Sequence, residues 1–190
     1  MDTLYYKVAN LTFGIELHEG IALDGMLGAY EPFRTAQTDE PLFLLKVVSS
    51  EESDARGGKD WKLLLDHDFE GMITEIYTDE ADAYHYTLHF SSQPEMWTCV
   101  DFTRDLSQME CRIHGNQRFQ LFGLNNALML LFALCSAPHD TLLFHASVTM
   151  NGGKGYLFLG KSGTGKSTHS QLWIKYIEGC ELLNDDNPAV

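Results

Sequence analysis

Gly160–Asn187 reads GKSGTGKSTHSQLWIKYIEGCELLNDDN, and an apolar run, Gly155–Gly160 (GYLFLG), leads straight into it. Gly160, Gly165, Lys166 and Ser167 fit G-x-x-x-x-G-K-[ST], a phosphate-binding pattern that requires a strand before it and a helix after it. Both flanks are present, since GYLFLG precedes the loop and KSTHSQLWIKYIEG follows it. Glycines let backbone N–H groups turn inward around phosphate oxygens, and the helix N-terminus adds positive partial charge. The candidate phosphate-binding residues are therefore Gly160, Lys161, Ser162, Gly163, Thr164, Gly165, Lys166, Ser167 and Thr168. In this pattern Lys166 sits over the β- and γ-phosphates and the Ser167 hydroxyl reaches Mg²⁺.

A helix opening at Ser167 and ending near Gly179 leaves CELLN as the next strand. Asp185 and Asp186 then emerge at the C-terminal end of that strand, beside the loop if the sheet is parallel. Two adjacent carboxylates can divide two jobs: one holds Mg²⁺, and the other takes a proton from a nucleophile. Both aspartates are candidate catalytic groups, and Asp186 joins Ser167 as a candidate metal ligand. The same letters, NDDNP, also spell an acidic turn. Upstream, TLLFHASVTM and GYLFLG read as two strands joined by NGGK, a tight hairpin sequence. His145 lies on the first of them, sharing a face with Leu143, Ser147 and Thr149, and its side chain suits proton handling near neutral pH. Lys154, Lys161 and His169 lie in or near the loop as further phosphate contacts or as plain solvated groups.

Working outward, residues 1–116 read as short strands separated by turn formers: LYYKVAN, LTFGIEL, PLFLLKVVS, WKLLLD, MITEIYT, AYHYTLHF, MWTCVDF and MECRIH. Tyr84, Tyr86, Leu88 and Phe90 alternate with His85, Thr87 and His89, which predicts an antiparallel sheet with one wet face. His85 and His89 stand about 13 Å apart at ~3.3 Å per residue, too far to share one metal on a straight strand. Ser49–Asp60 (SSEESDARGGKD) reads as an exposed connection. RFQLFGLNNALMLLFALCSA is apolar nearly all round and predicts a helix covered on most sides. The expected division is a β-rich domain at 1–116 and a nucleotide-binding core at 117–190, giving an α+β or α/β chain.

Composition bounds the partners. Twenty-seven acids against 13 Lys plus Arg give a formal charge of −14 in 190 residues, which argues against a nucleic-acid groove or an anionic membrane surface. Leu121–Ala137, interrupted by Asn125 and Asn126, falls short of about 20 apolar residues and reads as a core helix rather than a membrane span. Cys99, Cys111, Cys135 and Cys180 show no CxxC spacing, so free thiols in a reducing, cytoplasmic setting are expected. A homo-oligomer stays open.

FHASV, the NGGKG hairpin, GYLFLGKSGTGKST and LLNDDNPAV together resemble the HPr kinase/phosphorylase family and its phosphoenolpyruvate-carboxykinase-like relatives, over Leu142–Val190. The resemblance implies a P-loop kinase core in which Gly160–Thr168 bind ATP, Lys166 and Ser167 serve phosphate and Mg²⁺, and Asp185 and Asp186 supply base and metal functions, their roles undivided. It places His145 near the transferred phosphoryl group. HPr kinases carry an acidic residue where Thr168 stands, and SGTGKST is closer to the carboxykinase loop, so the implied acceptor is a hydroxyl of a small molecule or peptide. A kinase sheet of that type needs more strands than Leu142–Val190 supply, so the core is expected to be truncated at its C-terminus. The expected function is an ATP-dependent phosphotransferase, with a truncated, non-catalytic nucleotide-binding or interaction module as the alternative.

Overall fold

Short runs bounded by turn formers, several alternating apolar and polar side chains with period two, form the strands of this chain, and their pairing yields a mixed α+β fold. The computed structural model describes residues 3–18, 27–49 and 61–190. The chain divides into two compact units, Met1–Cys135 and Ser136–Val190.

Unit 1 holds β1 (Thr3–Val8), β2 (Leu11–Leu17), β3 (Leu44–Ser49), β4 (Lys62–Phe69), β5 (Met72–Thr78), β6 (Tyr84–Phe90), β7 (Gln93–Phe102) and β8 (Met109–His114), followed by helix α1 (Gln117–Ser136). One sheet runs in the order β1-β2-β3-β8-β7-β6-β5-β4. It is mostly antiparallel, but the expected fully antiparallel pairing is corrected at β3, which lies parallel to both β2 and β8. The stretch between Leu17 and Leu44 is long enough to carry the chain back to the same end of the sheet, which a tight turn cannot do.

The α1 side of the sheet carries Phe13, Ile15, Leu45, Val47, Leu88, Val100, Cys111 and Ile113, all buried. Helix α1 lays Phe119, Leu124, Ala127, Leu128, Leu131, Phe132 and Cys135 on them, a stripe at helical spacing. Phe119 and Phe122 meet Phe90 at 6.1 and 5.5 Å, and Phe132 meets Phe13 at 6.0 Å. On the side of the helix away from the sheet, Met129 and Leu134 are exposed. Within Gln117–His139 an 18-residue window has a mean hydropathy of 1.6, so the segment is long and apolar enough to cross a membrane by length and composition. Because this stripe buries on the sheet, α1 belongs with unit 1, and the division falls after the helix rather than at residue 116.

The opposite face is not simply wet, as alternation alone would have it. His85, Thr87, Trp97 and Cys99 on that face are buried, with Trp61 and Tyr77 rings 5.4 and 6.0 Å from the His85 ring. The Ser49–Asp60 connection lies, from residue 50 onward, outside the described residues.

Unit 2 contains β9 (Ala146–Asn151), β10 (Lys154–Leu159), α2 (Lys166–Tyr176) and β11 (Glu181–Asn184). Its sheet has the order β10-β9-β11, with both outer strands antiparallel to β9. CELLN therefore pairs antiparallel with its neighbour, yet runs parallel to β10 across the central strand. Helix α2 covers the face of Ser147, Tyr156 and Phe158, where Trp173 meets Tyr156 at 5.0 Å and Phe158 at 5.2 Å.

Candidate functional site

Because β10 and β11 both run against β9, the C-terminal ends of the outer strands and the N-terminal end of the central strand meet at one end of the sheet. The glycine loop leaves β10 there, His145 enters β9 there, and Asp185 and Asp186 follow β11 there. The residues singled out in sequence are thereby gathered from three separate segments.

The loop runs from Gly160 to Gly165 between β10 and α2. Gly163 and Gly165 take φ values of 78° and 89°, a left-handed backbone that costs an L side chain roughly 1–2 kcal/mol. Thr164 closes the turn, donating both its N–H (3.3 Å) and its Oγ1–H (2.8 Å) to the Lys161 carbonyl. The His169 N–H donates to the Gly165 carbonyl at 2.9 Å, so the amides of Lys166, Ser167 and Thr168 lie ahead of any intrahelical acceptor. Gly160 through Gly165, with Lys161 and Ser162 among them, are exposed; Lys166 and Ser167 are half-buried and Thr168 is exposed.

Lys166 folds across this loop. Its Nζ donates to the Gly160 carbonyl at 2.9 Å, the Lys161 carbonyl at 3.2 Å and His145 Nε2 at 2.9 Å. An ammonium has three donors and no acceptor, so His145 Nε2 must accept and the proton of the neutral ring sits on Nδ1. That atom lies 3.3 Å from Asp186 Oδ1. The result is a line from Asp186 through His145 to Lys166. Asp186 is steadied by its own N–H donating to Asn184 Oδ1 (2.9 Å), by Asn187 Nδ2 donating to its Oδ2 (3.0 Å), and by its carbonyl accepting the Ala146 N–H (2.9 Å).

Asp185 is held differently. Before Leu183 the β9–β11 pairs are Glu181 with Met150 and Leu182 with Thr149; beyond it Asn184 faces Val148. Leu183 is the extra residue of a β-bulge, and a one-residue shift moves every later side chain to the other face. The shifted register continues through the Ala146–Asp186, Phe144–Pro188 and Leu142–Val190 backbone bonds. It sets Asp185 opposite Ser147, whose Oγ–H donates to Asp185 Oδ1 at 2.6 Å. Ser147 Oγ also meets Ser170 Oγ from α2, and both serines are fully buried.

Ser147 and Ser170 are the site residues that sequence reading passed over. Their signals were spacing alone: Ser147 lies two residues beyond His145 on a strand, and Ser170 four residues beyond Lys166 on a helix. Two weaker candidates take other places. His169 accepts from Trp173 Nε1 at 3.2 Å and packs edge-on to Phe158 at 4.6 Å, while Lys154 starts β10 at its far end, roughly 16 Å from the loop at ~3.3 Å per residue.

Among the described residues there is no group of three or more His, Cys, Asp or Glu that could hold a metal ion. Mg²⁺ characteristically takes one or two protein oxygens and completes its shell with water and substrate phosphates. Ser167 and Asp186 are hard oxygen donors of that kind, and open helix-start amides with an ammonium beside them suit a polyphosphate. The residues present therefore fit a magnesium nucleotide. No protein family, curated protein or solved structure matches the chain.

Proposed function

We propose that the chain binds MgATP at Gly160–Thr168 and transfers the γ-phosphoryl group to a hydroxyl of a small molecule, peptide or protein, in the manner of the HPr kinase-like P-loop kinases that Leu142–Val190 resembles. The observation that carries this reading is the line Asp186–His145–Lys166, in which the loop lysine meets a strand-end histidine at 2.9 Å and that histidine faces an aspartate at 3.3 Å. A chance glycine-rich helix start would not recruit both partners.

Each residue has a task. Lys166 exchanges the carbonyls of Gly160 and Lys161 for β- and γ-phosphate oxygens, and the amides at the start of α2 take further oxygens. Ser167 and Asp186 would hold Mg²⁺, which supplies charge neutralisation on the phosphates. Asp186 has both oxygens engaged, by His145 and Asn187, whereas Asp185 is engaged through Oδ1 by Ser147. Asp185 is therefore the base. The acceptor oxygen bonds to the γ-phosphorus as the bond to the bridging oxygen breaks, ADP leaves with that electron pair, and the hydroxyl proton passes to Asp185.

A second reading is favoured by one feature: no arginine follows Arg118 in the sequence, so unit 2 brings no guanidinium to the transferred group. A nucleotide-binding module without turnover would look the same at the loop. Calorimetric titration with MgATP tests binding, and Lys166→Ala should weaken it at least about 100-fold, ~2.7 kcal/mol. Transfer from labelled ATP to a panel of hydroxyl compounds tests turnover, which Asp185→Asn should abolish while binding persists. A flat titration sinks the proposal; binding without transfer to any acceptor leaves the module.

A further inference from the structure

We infer that Ser147 and Ser170 are positioning residues for Asp185, forming a one-way hydroxyl relay from helix α2 through strand β9 to the carboxylate. This rests on the phosphotransferase reading above. Proton counting fixes the direction. A serine hydroxyl has one proton to give. Ser147 gives its proton to Asp185 Oδ1 at 2.6 Å, so its short contact with Ser170 Oγ needs the Ser170 proton. Ser170 has one other acceptor, the Lys166 carbonyl at 3.3 Å, a weaker option on distance alone.

Both hydroxyls are fully buried, so water does not compete for these protons. A donor that itself accepts a hydrogen bond is polarised and donates more strongly, which favours the Ser147–Asp185 contact beyond a solitary serine. The relay also joins the separate segments of the site. Ser170 is one turn beyond Lys166 on α2, Ser147 is two residues beyond His145, and Asp185 precedes Asp186. Helix α2, the central strand and the acidic pair are thereby tied together through two buried hydroxyls. With Oδ1 committed, the carboxylate cannot rotate freely, and Oδ2 is the oxygen presented to an acceptor hydroxyl.

The test compares wild type, Ser147→Ala, Ser147→Thr and Ser170→Ala in phosphate release from MgATP with water as acceptor, and in transfer to hydroxyl compounds. Ser147→Ala should lower kcat about tenfold or more while leaving the KM for MgATP within about twofold, because a misplaced base slows the step without loosening the nucleotide. Ser147→Thr keeps the hydroxyl and should recover most of that loss, and Ser170→Ala should fall between. Without nucleotide, the melting shifts of Ser147→Ala and Asp185→Asn should combine less than additively, as for groups in contact. Wild-type kcat in Ser147→Ala together with additive melting shifts overturns the relay but spares the phosphotransferase reading. A wild-type protein that neither binds nor turns over MgATP overturns both.

Discussion

Each unit carries a histidine whose Nδ1 faces an aspartate, and the two pairs show how one chemical motif is spent in two ways. His85 and Asp101 stand directly opposite each other on β6 and β7, 2.6 Å apart, and the His85 side chain is 0% exposed. His145 and Asp186 sit just outside the strands β9 and β11, 3.3 Å apart, and are 51% and 72% exposed. In the first pair sheet register fixes both partners, Arg112 adds a second donor to Asp101, and Trp61 and Tyr77 lie against the ring. In the second the strands end, and the free side of the histidine reaches Lys166. A pair locked mid-sheet contributes stability; a pair at strand ends is open to a ligand.

The largest expected effect breaks the buried pair. His85→Ala removes a fully buried ring and strips a donor from a half-buried carboxylate, which should cost about 3 kcal/mol. For a chain of this size that lowers Tm by roughly 6–12 °C. Scanning calorimetry reads it, and a loss no greater than that of a surface histidine would erase the distinction between the two pairs.

His145→Ala is the matching change in the other unit, and the order of its effects should be reversed. Its contact with Asp186 is exposed, so stability should move by no more than about 0.5 kcal/mol. Phosphotransfer should fall about tenfold, ~1.4 kcal/mol of barrier, because Lys166 loses the acceptor that aligns it with the acidic pair. Equal thermal costs for His85→Ala and His145→Ala would mean that the strand-end pair is structural too.

The same contrast explains what the letters disclosed. All eight strands of unit 1 are legible as short runs between turn formers, several alternating with period two, since both signals are local, and LTFGIEL, MITEIYT and MECRIH match β2, β5 and β8 end to end. The parallel setting of β3 was not visible, because it depends on which distant strands it joins. Nor was the burial of His85 and Thr87, whose polarity spoke for water until Trp61 and Tyr77 came alongside. In unit 2 the loop, Lys166, His145 and the aspartates could be read because the loop motif is contiguous and both neighbours lie at strand ends. The Ser170–Ser147–Asp185 chain could not. It exists only because Leu183 bulges, and nothing in ELLN announces a bulge: without that shift Asp185 would face Ala146 rather than Ser147.

The smallest effect sharpens the comparison from the acid side. Burial would raise the Asp101 carboxyl, but the hydrogen bond and charge of His85 and the guanidinium of Arg112 outweigh it and hold the group below its ordinary value. A carboxyl whose pKa is lower folded than unfolded adds stability above the unfolded value, near 3.9, and loses it as pH falls through the folded value. Wild-type protein should therefore lose stability below about pH 4, and part of that slope belongs to Asp101. Asp101→Asn keeps the shape and one acceptor but cannot titrate. Its stability should be lower at neutral pH and should decline less steeply between about pH 4 and pH 2. Urea midpoints measured across that range give both slopes. Parallel wild-type and Asp101→Asn curves would assign the acid limb to other carboxylates and leave the buried pair a matter of packing alone.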